Sequence, residues 1–212
     1  MRFLFIFLIL LAGCRDNRLL TGDLVFVAVP QTGKDDGIAG AITASTSKDS
    51  LNVIHVGIIE VVPEGVMVID ATGERGVAER PLDVFFEDFR LEDGSMPIFY
   101  VKRLDDNSGA ASYVERAKSF VGEPYDYYFM HGNGAHYCSE LVYDSYRRDD
   151  GTALFPSCKM NFKAADGSLP AYWVELFDSL GVPVPQGEPG TNPQEMFLSP
   201  ALDMVCRLPS RH

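Results

Sequence analysis

The chain has 212 residues, of which 46% are hydrophobic and 23% charged. Those values exclude a disordered or collagen-like chain, and the length suits one domain with a full core, or at most two small ones. The formal net charge is -12, and no Lys/Arg cluster exceeds the pair Arg147-Arg148. An acidic surface repels phosphate backbones, so nucleic acid is not an expected partner.

The N-terminus reads MRFLFIFLILLAGC. Arg2 supplies a short positive region, and Phe3 to Leu11 is an apolar run too short for a stop-transfer helix. It ends in Leu11-Ala12-Gly13-Cys14, which resembles the bacterial lipobox. The resemblance implies cleavage before Cys14 and diacylation of its sulfur, with a plain secretory signal as the nearest alternative. Residues 1–13 are then a lipoprotein-type signal peptide, 14–21 a lipid anchor and tether, and 22–212 one domain. The expected protein is exported and anchored to a membrane, facing the periplasm or the cell surface. With Cys14 and Cys138 otherwise engaged, Cys158 and Cys206 either pair as a disulfide or stay as packed thiols.

Leu24 to Val29 reads as a buried strand, and Ile38 to Ser45 as a short helix in a polar, Gly-rich stretch. Val53–Val62 and Val66–Ala71 are β-branched runs split by Pro63-Glu64-Gly65, a hairpin signal. Val77 to Arg80 reads as a third short strand. Pro81 to Phe89 reads as a helix with Pro in its first turn, and Pro97 to Leu104 as a strand. Ala110 to Val121 has helical spacing and a cap at Gly122. Pro124 to Gly134 is an aromatic, Gly-rich loop. Helices are expected over Ser139–Arg148 and over Ala171–Leu180, the latter stopped by Gly181. The Pro/Gly stretch Val182–Pro193 reads as a loop, either beside the cleft and shaping access or a passive connector, followed by a helical turn and a strand over Asp203–Leu208. Strands first and helices later, with antiparallel hairpins, argue for an α+β fold.

Two segments carry chemistry. Tyr137-Cys138-Ser139-Glu140 sits where a loop turns into a helix. A thiol there meets the positive end of the helix dipole and the open amides of the first turn, which favour the thiolate and can hold an oxyanion. His55 lies inside an apolar strand, where a histidine is a satisfied core residue, a metal ligand or a base. If Pro63-Glu64 is a two-residue turn, Val62 faces Gly65 and His55 faces Thr72. Side-chain alternation then places His55, Asp70 and Thr72 on one face. A carboxylate there would fix the imidazole tautomer and support its cation. His55, His131, His136 and Cys138 form a rival zinc set, but His131-x4-His136-x-Cys138 is not a usual metal spacing. No metal and no cofactor are therefore expected.

The order GDLVF, HVGII, VIDAT, KSFVGEPYDYYF and YCSELVY resembles the circularly permuted branch of the NlpC-type papain-like superfamily, the YiiX/YebB-like group. The resemblance spans Gly22 to about Leu208. It implies a papain-like α+β fold, an antiparallel, barrel-like sheet packed on helices, with the histidine strand preceding the cysteine helix. It also implies Cys138 as nucleophile, His55 as base and a polar third residue, here Asp70. Tyr125, Asp126 and Tyr127 match a recurring pocket segment. Tyr137 flanks the nucleophile in the same pocket, and Glu140 fits the Cys-Ser-Glu-Leu pattern as a structural or pocket carboxylate.

The expected activity is hydrolysis of an amide through a thioester on Cys138. By resemblance the substrate is a small amide or peptide in cell-wall fragments, or an acyl-lipid or N-acyl amide, since permuted relatives of the lecithin retinol acyltransferase type move acyl groups. The aromatic stretch Tyr125–Met130 serves as a pocket wall for either, or as plain core. A non-catalytic envelope binding domain on the same scaffold is the alternative of a different class.

Overall fold

The structure, a computed structural model, describes residues 18–30, 37–46 and 51–208. The expected signal peptide and the Cys14 anchor lie outside the described residues. Residues 18–21, expected to be tether, are already bound to the domain. The Leu20 amide donates to Asp23 at 2.8 Å, and Thr21 Oγ1 accepts from the Val61 amide at 3.0 Å.

The elements run β1 (Leu24–Pro30), α1 (Ile38–Thr46), β2 (Leu51–Val62), β3 (Gly65–Thr72), β4 (Gly76–Pro81), α2 (Leu82–Asp88) and β5 (Ile98–Leu104). There follow α3 (Ala110–Ser119), α4 (Cys138–Ser145), β6 (Cys158–Lys159), α5 (Ala171–Leu180), β7 (Pro189–Gly190), α6 (Pro193–Phe197) and β8 (Leu202–Leu208). Six strands form one antiparallel sheet in the order β4-β3-β2-β1-β5-β8. The fold is the expected α+β arrangement, with the strand of His55 preceding the helix of Cys138.

Alternation along the strands divides the core. Leu24, Phe26, Val56, Ile58, Ile69 and Ala71 pack with residues of α3, α4 and α6. Val25, Val27, Ile59, Val68, Phe99 and Val101 pack against Phe85 of α2. A third cluster joins Ala41 of α1 and Trp173 and Phe177 of α5 to Phe129, Tyr137, Met160 and Phe162. Continuous burial on both faces explains why β1 and β2 read as unbroken apolar runs.

The hairpin turn is the two-residue one expected, with Val62 opposite Gly65. Gly181 ends α5 in the left-handed conformation, with φ 66°, as the sequence predicts. Helix α4 is shorter than expected. It stops at Ser145 because Tyr146 leaves helical geometry at ψ 79° and Arg147 bridges to Ala153. The stretch Val182–Pro193 is not wholly a loop: Pro189–Gly190 pairs with Cys158–Lys159. Cys158 and Cys206 stand in separate sheets and are not bridged to each other.

Candidate active site

Strand parity delivers the first half of the site. His55 and Asp70 share a sheet face, and the His55 Nε2 to Asp70 Oδ2 distance is 2.7 Å. Gly57 makes this approach workable. A Cβ at Gly57 would lie 2.6 Å from Val68 Cγ1 and 3.3 Å from the Cβ of Asp70. Any larger residue would push β3, and the carboxylate with it, away from β2.

Asp70 is fully buried and has a second partner that sequence reasoning missed. Arg80 Nη2 donates to the same Oδ2 at 2.7 Å, and Arg80 Nε lies 3.1 Å from Asp88 Oδ2. The register of β4 could have found it. Val68 pairs with Arg80 and Asp70 with Ala78, so Arg80 stands diagonal to Asp70 on its face.

Cys138 forms the other half. It is the first residue of α4, 5% exposed. The amides that open a helix have no intrahelical acceptor, so those at Cys138 and Ser139 are available to an anionic oxygen. Asp70 occupies Nε2 of His55, so Nδ1 is the ring nitrogen left to act as a base. Burial alone would lower the His55 pKa. Negative charge on Cys138 and side-chain hydrogen bonds to Asp70 and Cys138 outweigh it and push the pKa up to about 9. His55 thus has a carboxylate and a thiol as its electrostatic partners, and the Phe89 ring lies tilted against it, 4.6 Å between centroids. The arrangement can hold an imidazolium next to a sulfur anion and deliver its proton to a leaving group.

Beside Cys138 opens a small cavity of about 40 Å³. Its walls are largely apolar: Ile42, Tyr125, Phe129, Met160, Phe162 and Trp173. Tyr137, Ser139 and Thr191 border it near the sulfur. Burial pushes the Tyr137 phenol up, and its oxygen accepts from the Thr191 amide at 2.9 Å. The end of the Pro/Gly stretch, Thr191 to Pro193, therefore lines the cleft.

The remaining expected pocket residues divide. Tyr125 and Tyr137 face the pocket. Asp126 does not line it: buried, it accepts from the amides of Tyr128 and Met130 and from Asn133 Nδ2, all at 2.8–2.9 Å. It fixes its own loop. Tyr127 donates through its hydroxyl to the Gly73 carbonyl at 3.1 Å and meets Tyr125 edge-on. Glu140 is fully buried and caps α4 from within, accepting from the Tyr137 amide at 3.4 Å. Its side-chain neighbour is His131, with Nδ1 3.1 Å from Oε1. Neither His131 nor His136 joins Cys138 and His55. His131 lies with Glu140 and Asp144, and His136 lies between Glu123 and Asp144.

Residues 18–206 match the family model described as permuted papain-like amidase enzyme, YaeF/YiiX, C92 family. The chain belongs to the permuted papain-like amidases. Its class of chemistry is accordingly cysteine-dependent hydrolysis of amide bonds. It is 26% identical over 205 residues to the uncharacterized protein YiiX of Escherichia coli (strain K12), covering 90% of this chain and 96% of the relative. A crystal structure described as metalloprotein YiiX from Escherichia coli O157:H7 shares the fold. Its TM-score is 0.67 at 24% identity, over 89% of this chain and 97% of that one.

Proposed function

We propose that this permuted papain-like amidase uses Cys138 as nucleophile and His55 as base and acid, with Asp70 orienting the imidazole. The observation that carries this reading is the buried His55 imidazole paired with Asp70 at 2.7 Å, with Cys138 as its other electrostatic partner. His55 takes the thiol proton, and the sulfur attacks the acyl carbon while first-turn amides of α4 hold the oxyanion. His55 then protonates the departing amine, and water cleaves the thioester. The lipobox-like Leu11-Ala12-Gly13-Cys14 supports a location at the bacterial envelope, tied to a membrane through Cys14. That setting suits amides of cell-wall fragments.

A second reading has its own support. The apolar lining beside the sulfur favours an alkyl over a polar acyl group, so acyl transfer, or thioester hydrolysis of lipids, is the alternative on the same residues. One experiment addresses both. The purified protein and its Cys138→Ala form are mixed with N-acyl amides of short peptidyl and long alkyl type, acid-quenched, and analysed by peptide mass spectrometry. The expected result is an acyl adduct on the Cys138 peptide alone. Adducts from alkyl amides, passed on to added amines or alcohols, would favour the transferase reading. Acylation elsewhere, or none with any amide while Cys138→Ala behaves identically, would leave a binding domain.

A further inference from the structure

Helix α4 presents a second constellation, on the face turned away from Cys138. Glu140 and Asp144 are four residues apart and so lie one above the other. At 3.6 residues per turn this pair points roughly opposite to the nucleophile. His131, from the loop before the helix, meets them. The donor atoms of His131, Glu140 and Asp144 all lie within 4.8 Å of one another.

Glu140 is the telling member. Its side chain is fully buried, yet among the described residues Oε1 has no well-directed hydrogen-bond donor, only the His131 ring beside it, and neither ring nitrogen of His131 makes a hydrogen bond. A buried carboxylate oxygen without a donor is costly. The 3.1 Å between His131 Nδ1 and Glu140 Oε1 is a poor hydrogen bond by direction. It matches the separation, about 3.0–3.4 Å, of two donors each about 2.1 Å from one metal at tetrahedral or octahedral angles. Asp144, only partly buried and also held by Arg147, can supply the third donor. His136 Nε2 lies 3.4 Å from Asp144 Oδ2 and its Nδ1 2.8 Å from Glu123 Oε2, placing it to orient that carboxylate.

We propose that His131, Glu140 and Asp144 bind one divalent transition-metal ion of the zinc type, which clamps the 124–137 loop onto α4 without involving Cys138 or His55. An imidazole with two carboxylates suits zinc and its neighbours better than the hard cations. The clamp acts where Glu140 already caps the helix that carries Cys138, and on the loop that carries Tyr125 and Phe129 into the pocket.

The test uses protein stripped with a chelator and titrated with ZnCl₂, read by calorimetry, metal content and thermal unfolding, with MgCl₂ alongside. Expected are one zinc per chain, a rise in Tm of about 5–10 °C at a hundredfold excess over Kd, and no shift with magnesium. His131→Gln and Asp144→Asn, both at partly exposed positions, should each weaken zinc binding at least tenfold while the metal-free forms keep their far-UV circular dichroism. Cys138→Ser should bind zinc as the parent does. No zinc binding, binding that survives both ligand variants, or binding lost in Cys138→Ser would overturn the proposal.

Discussion

His55 and Arg80 share one carboxylate oxygen: each has a nitrogen 2.7 Å from Asp70 Oδ2. Asp70 thereby bridges a permanent cation and the imidazole it orients. Asp70→Asn keeps the shape but removes the charge that supports protonated His55. We expect kcat/KM to fall by about 10²-fold or more, with the alkaline limb of its pH profile moving to lower pH. Arg80→Met should destabilise by up to about 3–5 kcal/mol, since it leaves a buried carboxylate with one partner fewer. An unaltered pH profile in Asp70→Asn would remove Asp70 from the site.

The raised pKa of His55 also links folding to pH. An ordinary imidazole titrates near 6.5, and His55 is pushed up to about 9. Folding therefore favours its protonated form. This stabilisation is fully present below about pH 6.5 and is lost as pH rises through about 9. Urea unfolding midpoints should fall across that window, and His55→Gln should flatten the fall. A midpoint that rises there, or a slope that His55→Gln leaves unchanged, contradicts the assignment.

Gly57 tests the strand geometry without altering a charged group. Gly57→Ala places a methyl against Val68 and Asp70, which should cost about 1–3 kcal/mol by overpacking. Chemical denaturation would read the cost, and kcat should drop because β3 carries Asp70 away from His55. A variant of parental stability and rate would show that β3 can shift freely.

Cys14 is read from its lipobox-like setting alone. In the producing cell Cys14→Ser should abolish acylation and leave an uncleaved or soluble form, seen by fractionation and intact mass. Unchanged membrane association with an unmodified N-terminus would rule out the anchor.

Period-two alternation and a two-residue turn sufficed to bring His55 to Asp70, because a hairpin with both faces buried tolerates no register slip. Cys138 was legible from a loop turning into a helix. Arg80 was not, since its role depends on how β4 pairs after the Thr72–Gly76 turn. Nor was the His131–Glu140 neighbourhood, which depends on a loop whose path is set by Asp126 accepting three local hydrogen bonds. The motif segment around Tyr125 mixes pocket wall and loop staple, and no periodicity separates them. The early end of α4 follows from Arg147 bridging to Ala153, a local pairing without a hydrophobic signature.

The most direct measurement is the rate of iodoacetamide alkylation at Cys138, Cys158 and Cys206, followed by peptide mass spectrometry at mildly acidic pH in the parent and in His55→Ala. The thiolate–imidazolium reading predicts Cys138 to react fastest despite being the most buried of the three, and to lose that advantage when His55 is removed. Equal, slow labelling of all three cysteines, or a Cys138 rate indifferent to His55, would contradict a catalytic pair at this site.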